Sequence, residues 1–101
     1  MARYSIRIVE GAKAEIRRLK AGHRKIVLDA IRRNLLDRPG VEEGGKKVLR
    51  GLKPPWTQVT PVWQLAAVPF RIFYDVDDAA KEVTINAVRE KPPGTTTEEI
   101  L

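Results

Sequence analysis

Phe70-Arg71-Ile72-Phe73-Tyr74-Asp75-Val76 and Glu82-Val83-Thr84-Ile85-Asn86-Ala87-Val88-Arg89 decide the fold. In the first run Phe70, Ile72, Tyr74 and Val76 recur at every second position, the period at which a strand presents one face. Phe73 falls on the opposite face, so this run reads as a central strand buried on both sides. In the second run Val83, Ile85 and Ala87 share a face by the same period. Asp77-Asp78-Ala79-Ala80-Lys81 lies between them as a hairpin turn.

Outward from this hairpin, Val62 to Val68 reads as a further strand. The stretch from Lys53-Pro54-Pro55-Trp56 to Pro61 is irregular, because adjacent prolines remove ladder donors. Lys46 to Leu52 reads as a short strand or its approach, and Val41 to Gly45 as a loop. Further back the period changes to that of a helix. Ile26, Val27, Ala30, Ile31 and Leu35 form the stripe of a helix from about His23 to Arg38, which Pro39-Gly40 stops. Ala12, Ile16 and Leu19 form the stripe of a shorter helix beginning at Glu10, with Ala21-Gly22 as the break between the two. So short a break predicts an antiparallel helical hairpin. Tyr4, Ile6 and Ile8 alternate as a half-buried first strand. Residues 92–101 show neither period and read as a tail on a single domain of residues 1–91. The order β-α-α-β-β-β-β defines an α+β fold, a helical hairpin packed on one face of a curved, mostly antiparallel sheet.

A chain of 101 residues, 43% of them hydrophobic, suits one domain with one core. The absence of cysteine excludes a disulfide framework and a thiolate zinc site, and suits a reducing compartment. No apolar signal core or membrane-length run stands in the sequence, so a cytoplasmic protein away from the membrane is expected. Charge is unevenly spread: residues 1–53 hold 15 basic and 6 acidic side chains, residues 54–101 hold 4 and 7. A basic half of this kind suits nucleic acid, a ribosome or an acidic protein partner; the alternative is a solvated, charge-rich surface.

Trp63-Gln64-Leu65, the Phe70–Val76 and Val83–Arg89 strands and the upstream Val48-Leu49-Arg50-Gly51 together resemble the RelE/ParE superfamily of bacterial toxins. The resemblance spans about residues 3–91 and rests on the joint pattern and element order, not on any single motif. It implies a toxin neutralised by a co-expressed acidic antitoxin in a hetero-oligomer. It also implies one of two targets: ribosome-bound mRNA, cut without metal or other cofactor by RelE-like members, or DNA gyrase, poisoned by ParE-like members. A diverged member that binds an antitoxin without RNase activity is a third reading. An RNA-cleaving member places its catalytic cations at Arg71, Arg50 and Lys91, with Lys46, Lys47, Lys53 and Arg89 as nucleic-acid contacts. Val62 and Gln64 stand where the family carries a lysine pair, Ala66 where an arginine is common, and no tyrosine follows Lys91.

Each candidate has an ordinary structural alternative. Arg71 alternates with Phe70 and Ile72 and so points outward without special cause. Lys46, Lys47, Arg50 and Lys53 also suit a solvated edge strand that resists aggregation. Tyr74 reads as core, and Trp56 and Trp63 as core or partner interface in preference to base-stacking platforms. His23 lacks companion ligands in sequence and reads as structural. Asp75, Asp77 and Asp78 lack the glycine and terminal glutamate of a calcium loop and read as turn residues.

Overall fold

The computed structural model describes residues 3–56 and 61–101. The elements run β1 (Ser5–Ile8), α1 (Glu10–Arg17), α2 (Ala21–Asn34), β2 (Lys46–Leu49), β3 (Val62–Ala67), β4 (Phe70–Asp77), β5 (Glu82–Glu90) and α3 (Thr97–Ile100). The strands form one five-stranded sheet in the order β1-β5-β4-β3-β2. β1 is parallel to β5 and every other pairing is antiparallel. β4 lies at the centre, as two-sided burial required. Residues 57–60, part of the stretch read as irregular, lie outside the described residues.

The main core lies between the helices and one face of the sheet. Ala12 and Ile16 of α1 and Val27, Ile31 and Leu35 of the α2 region pack on Leu65, Ile72, Tyr74, Val83, Ile85 and Val88. Fully burying one such aliphatic side chain stabilises the fold by roughly 1.5–3 kcal/mol, so this layer dominates the energetics. Ile26, read as part of the α2 stripe, is 39% exposed and stands outside it.

The helix boundaries differ from the sequence reading. The break falls at residues 18–20, and Ala21 and Gly22 belong to the first turn of α2. Glycine costs least there, because first-turn N–H groups have no intrahelical partner. Leu19 closes the first helix by donating its N–H to Ile16 O at 3.1 Å, and the Arg24 guanidinium donates to Leu19 O at 2.9 Å. At its other end α2 stops at Asn34 instead of continuing to Arg38. Tertiary donors claim the carbonyls beyond it. Tyr4 N–H donates to Leu36 O at 2.7 Å, and the buried Tyr74 hydroxyl donates to Pro39 O at 2.8 Å.

β5 contains an extra residue. Phe73 pairs with Ala87 and Tyr74 with Ile85, leaving Asn86 bulged between them. Ala87 therefore leaves the face of Val83 and Ile85, against the simple alternation, and joins Val62 and Phe73 in a second cluster on the far side of the sheet. Val88 takes the vacated place in the main core.

Residues 92–101 also depart from the aperiodic reading. Thr96 and Glu99 form a reciprocal capping box that starts α3. Ile100 and Leu101 then pack against the second cluster, beside Leu49, Leu52 and Trp56.

Candidate functional site: a basic sheet face

Strand pairing places residues of the face opposite α1 and α2 in rows. Ala66, Arg71 and Arg89 share one row. Lys47, Gln64, Phe73 and Ala87 share the next, and Leu49 and Val62 follow. Arg71, Arg89 and Lys47 therefore belong to one face across four strands. Trp56 lies over this face, its ring 5.5 Å from that of Phe73.

Arg71 and Arg89 are direct cross-strand neighbours, an arrangement that like charges oppose. Glu15 of α1 offsets this repulsion through an ion pair with Arg89. The same carboxylate accepts the Val88 N–H at 3.1 Å. β1 stops at Ile8, so the rest of β5 lacks a strand partner there, and Glu15 substitutes for one. The Arg89 guanidinium also lies 5.7 Å from the Trp56 ring centre, within cation–π range. Burial pulls the Arg89 guanidinium below its ordinary pKa. Arg71 is half-buried and donates to Phe70 O at 3.2 Å.

Arg50 and Lys53 are exposed in the segment after β2. With Lys47 they line a cleft of about 700 Å³ that Thr97, Glu98 and Leu101 also line. Lys91 is half-buried just beyond β5, its N–H donating to Pro69 O at 2.8 Å. The candidates thus fall into two groups on one side of the sheet: Arg71, Arg89 and Lys91 at the end of β4 and β5, and Lys47, Arg50 and Lys53 at the β2 edge.

Lys46 stands apart. It is 7% exposed, and its ammonium donates to Arg38 O at 2.7 Å and Asn34 O at 3.2 Å. It binds carbonyls at and beyond the end of α2, so its charge is turned inward, not toward a nucleic acid. Desolvation by burial lowers its pKa.

The structural alternatives hold for several other residues. Tyr74 is fully buried and stacks on Trp63 at 6.1 Å. His23 meets Phe70 edge-on at 5.2 Å. Asp75 accepts from Asn86 at 3.2 Å, and Asp77 accepts the Ala80 N–H at 3.0 Å within the hairpin turn. Burial raises the Asp75 pKa, partly countered by the Asn86 hydrogen bond. Among the described residues no cluster of three or more His, Cys, Asp or Glu is placed to hold a metal ion.

Sequence reasoning passed over Glu15 and α3, and it named Gln64 only as a departure from the family's lysine pair. Glu15 carried no signal, since its partners are 73 and 74 residues away. Gln64 is buried on the site face and accepts from the Thr97 hydroxyl at 3.3 Å. Thr96-Thr97-Glu98-Glu99 did carry a signal, because a threonine followed three residues later by glutamate is the capping-box pattern.

A two-helix layer on one face of a five-stranded sheet is the fold this chain shares with solved RelE toxins. The chain matches RelE from the archaeal RelE–RelB complex of Pyrococcus horikoshii OT3 with a TM-score of 0.67 and 18% identity, over 92% of this chain and 98% of that one. It matches the RelBE2 toxin–antitoxin complex of Mycobacterium tuberculosis at TM-score 0.69 and 18% identity, over 90% and 94%. The isolated E. coli RelE toxin matches at TM-score 0.59 and 20% identity, over 95% and 93%. No protein-family model matches the chain, and no curated protein matches it by sequence. Among the described residues no helix is long and apolar enough to cross a membrane.

Proposed function

We propose that this chain is the toxin half of a toxin–antitoxin pair and that it acts on RNA through the face of its sheet opposite α1 and α2. The observation that carries the reading is the shared face of Lys47, Arg71 and Arg89, with Arg50 and Lys53 beside it. Its fold relatives were solved as the RelE–RelB complex of P. horikoshii and the RelBE2 toxin–antitoxin complex of M. tuberculosis, which supports an antitoxin as the partner here. The net charge of +6 suits an acidic one.

In this reading the substrate is mRNA on the ribosome. A 2′-oxygen attacks the adjacent phosphorus as the bond to the 5′-oxygen breaks, and negative charge grows on the phosphoryl oxygens. Arg71 is the cation best placed to meet that charge, being half-buried in a rigid central strand with its backbone fixed on both sides. Lys91 at the same end of the sheet and Arg50 at the β2 edge serve as further phosphate contacts. Lys47, Lys53 and Arg89 hold the backbone of the strand. The face carries cations but no histidine, so proton transfer is its weak step and cleavage is slow, a missing proton-transfer group forfeiting about 10²–10⁴-fold.

The test is growth arrest on expression, with and without the product of the adjacent gene, and primer-extension mapping of cleavage on programmed ribosomes. Wild type should arrest growth and Arg71→Ala should not, with antitoxin binding unchanged. Equal toxicity of the two proteins removes Arg71 from the mechanism. The exposed cations Arg24, Arg32 and Arg33 of α2 favour gyrase as the second target. Intact mRNA together with inhibited supercoiling would transfer the reading to gyrase, with reversal of those three charges relieving toxicity.

A further inference from the structure

The cleft beside β2 is lined by both signs of charge. Lys47, Arg50 and Lys53 supply the basic side chains, and Glu98 the acidic one. α3 is held there by three devices. Its capping box fixes the first turn locally, with Thr96 Oγ1 accepting the Glu99 N–H at 3.3 Å and Glu99 accepting the Thr96 N–H at 3.2 Å. The Thr97 hydroxyl reaches Gln64 in the row of Lys47 and Phe73. Ile100 and Leu101 cover the apolar floor of Val62, Phe73 and Ala87. Gly94, at φ 84°, follows Pro92-Pro93 and turns the chain back toward the sheet. Each attachment is small, because a four-residue helix is not stable alone and Ile100 and Leu101 are only partly buried.

We infer that residues 95–101 form a self-docked acidic gate: α3 occupies the sheet face opposite α1 and α2 and must lift before a nucleic-acid strand can lie across it. The inference rests on the RNA reading of that face. Its physical content is competition. Glu98 lines the cleft with the charge sign of a phosphate, and Ile100 and Leu101 pack on the apolar cluster of Val62, Phe73 and Ala87 that an incoming strand would otherwise cross. The gated protein binds RNA with its intrinsic affinity multiplied by the fraction of molecules in which α3 is lifted. A gate closed about nine-tenths of the time weakens apparent binding about tenfold.

The test is fluorescence-anisotropy titration of a short labelled single-stranded RNA at constant salt, using the full chain, Ile100→Asp and Thr96→Ala. Ile100→Asp sets a carboxylate against the apolar floor and releases α3 while making the protein more acidic. General electrostatics therefore demands weaker RNA binding by this variant, whereas a gate demands tighter binding, by about tenfold if it closes as above. Thr96→Ala removes the helix cap from outside without altering charge or core, and tightens binding by a smaller factor. It keeps the test decisive if Ile100→Asp loses its cooperative thermal transition. Measurable RNA binding that is equal or weaker in the folded variants overturns the gate and leaves the RNA reading standing. No binding by any form overturns that reading, and the gate with it.

Discussion

Lys46→Met and Lys47→Met form a paired experiment on neighbouring residues with opposite roles. The Lys46 ammonium satisfies Arg38 O and Asn34 O from a site that is 7% exposed. Methionine keeps the stem's apolar packing but leaves both carbonyls without this donor. A buried acceptor left unsatisfied costs about 1–3 kcal/mol. Arg38 is an exposed residue, so water recovers part of the loss at its carbonyl. The net expectation is about 2–3 kcal/mol, with a fall in Tm of very roughly 8–20 °C for a domain of this size. Lys47 is exposed on the site face, and Lys47→Met should alter stability by no more than about 0.5 kcal/mol. Urea unfolding followed by the fluorescence of Trp56 and Trp63 gives both values. RNA binding should reverse the ranking: Lys47→Met lowers affinity and shallows the salt dependence by about 0.7 in log–log slope, while folded Lys46→Met does neither. If Lys46→Met is no more destabilising than Lys47→Met, the account of Lys46 as a structural cation fails.

Three further outcomes follow from the geometry. Burial raises the Tyr74 phenol above its ordinary pKa of 10.0, so the unfolded chain releases this proton first. The contribution is complete below pH 10 and declines above it; Tyr74→Phe, which costs about 1–2 kcal/mol at neutral pH, should flatten that alkaline decline in urea titrations, and parallel curves would contradict the assignment. Glu15→Gln should lower stability by about 1–2 kcal/mol by weakening a half-buried ion pair, yet strengthen RNA binding by freeing Arg89, so a loss of both would place Glu15 differently. Deleting Asn86 should leave a folded protein with the same two faces on β5, whereas deleting Phe73 from the unbulged β4 should abolish cooperative unfolding, as circular dichroism will report.

The sheet was legible wherever a side chain's direction depends only on its neighbours in sequence. Phe70, Ile72 and Tyr74 announce their common face, and Arg71 between them follows as outward. Legibility ended where direction depends on distant partners. Lys46 and Lys47 are indistinguishable in sequence; the turn-in of one is decided by carbonyls at residues 34 and 38. The helix was read on to Arg38, where Pro39-Gly40 would stop it, but hydrogen bonds from Tyr4 and Tyr74 claim the carbonyls beyond Asn34. At the site, Arg71 and Arg89 were both named as candidates, while their adjacency needed the register and the neutralising Glu15 needed the crossing of α1 over the end of β5.

Strict alternation along β5 contains a conflict that one residue resolves. Continued from Val83 and Ile85, it carries Ala87 and Arg89 onto the helix-facing side and sends Val88 outward. A guanidinium would then enter the apolar layer of Ile16 and Ile72, where an unpaired charge is far more costly than any strand irregularity. The bulge at Asn86 shifts the phase at the point where β1 has ended. Beyond it Val88 fills the core, Ala87 joins the second cluster, and Arg89 joins Arg71 on the face opposite α1 and α2. Core packing and the basic face thus impose the same requirement on β5, and one bulged residue satisfies both. The bulge also leaves the Val88 N–H facing α1 with no strand beside it, and Glu15, which accepts that N–H, thereby holds the arginine the bulge has redirected.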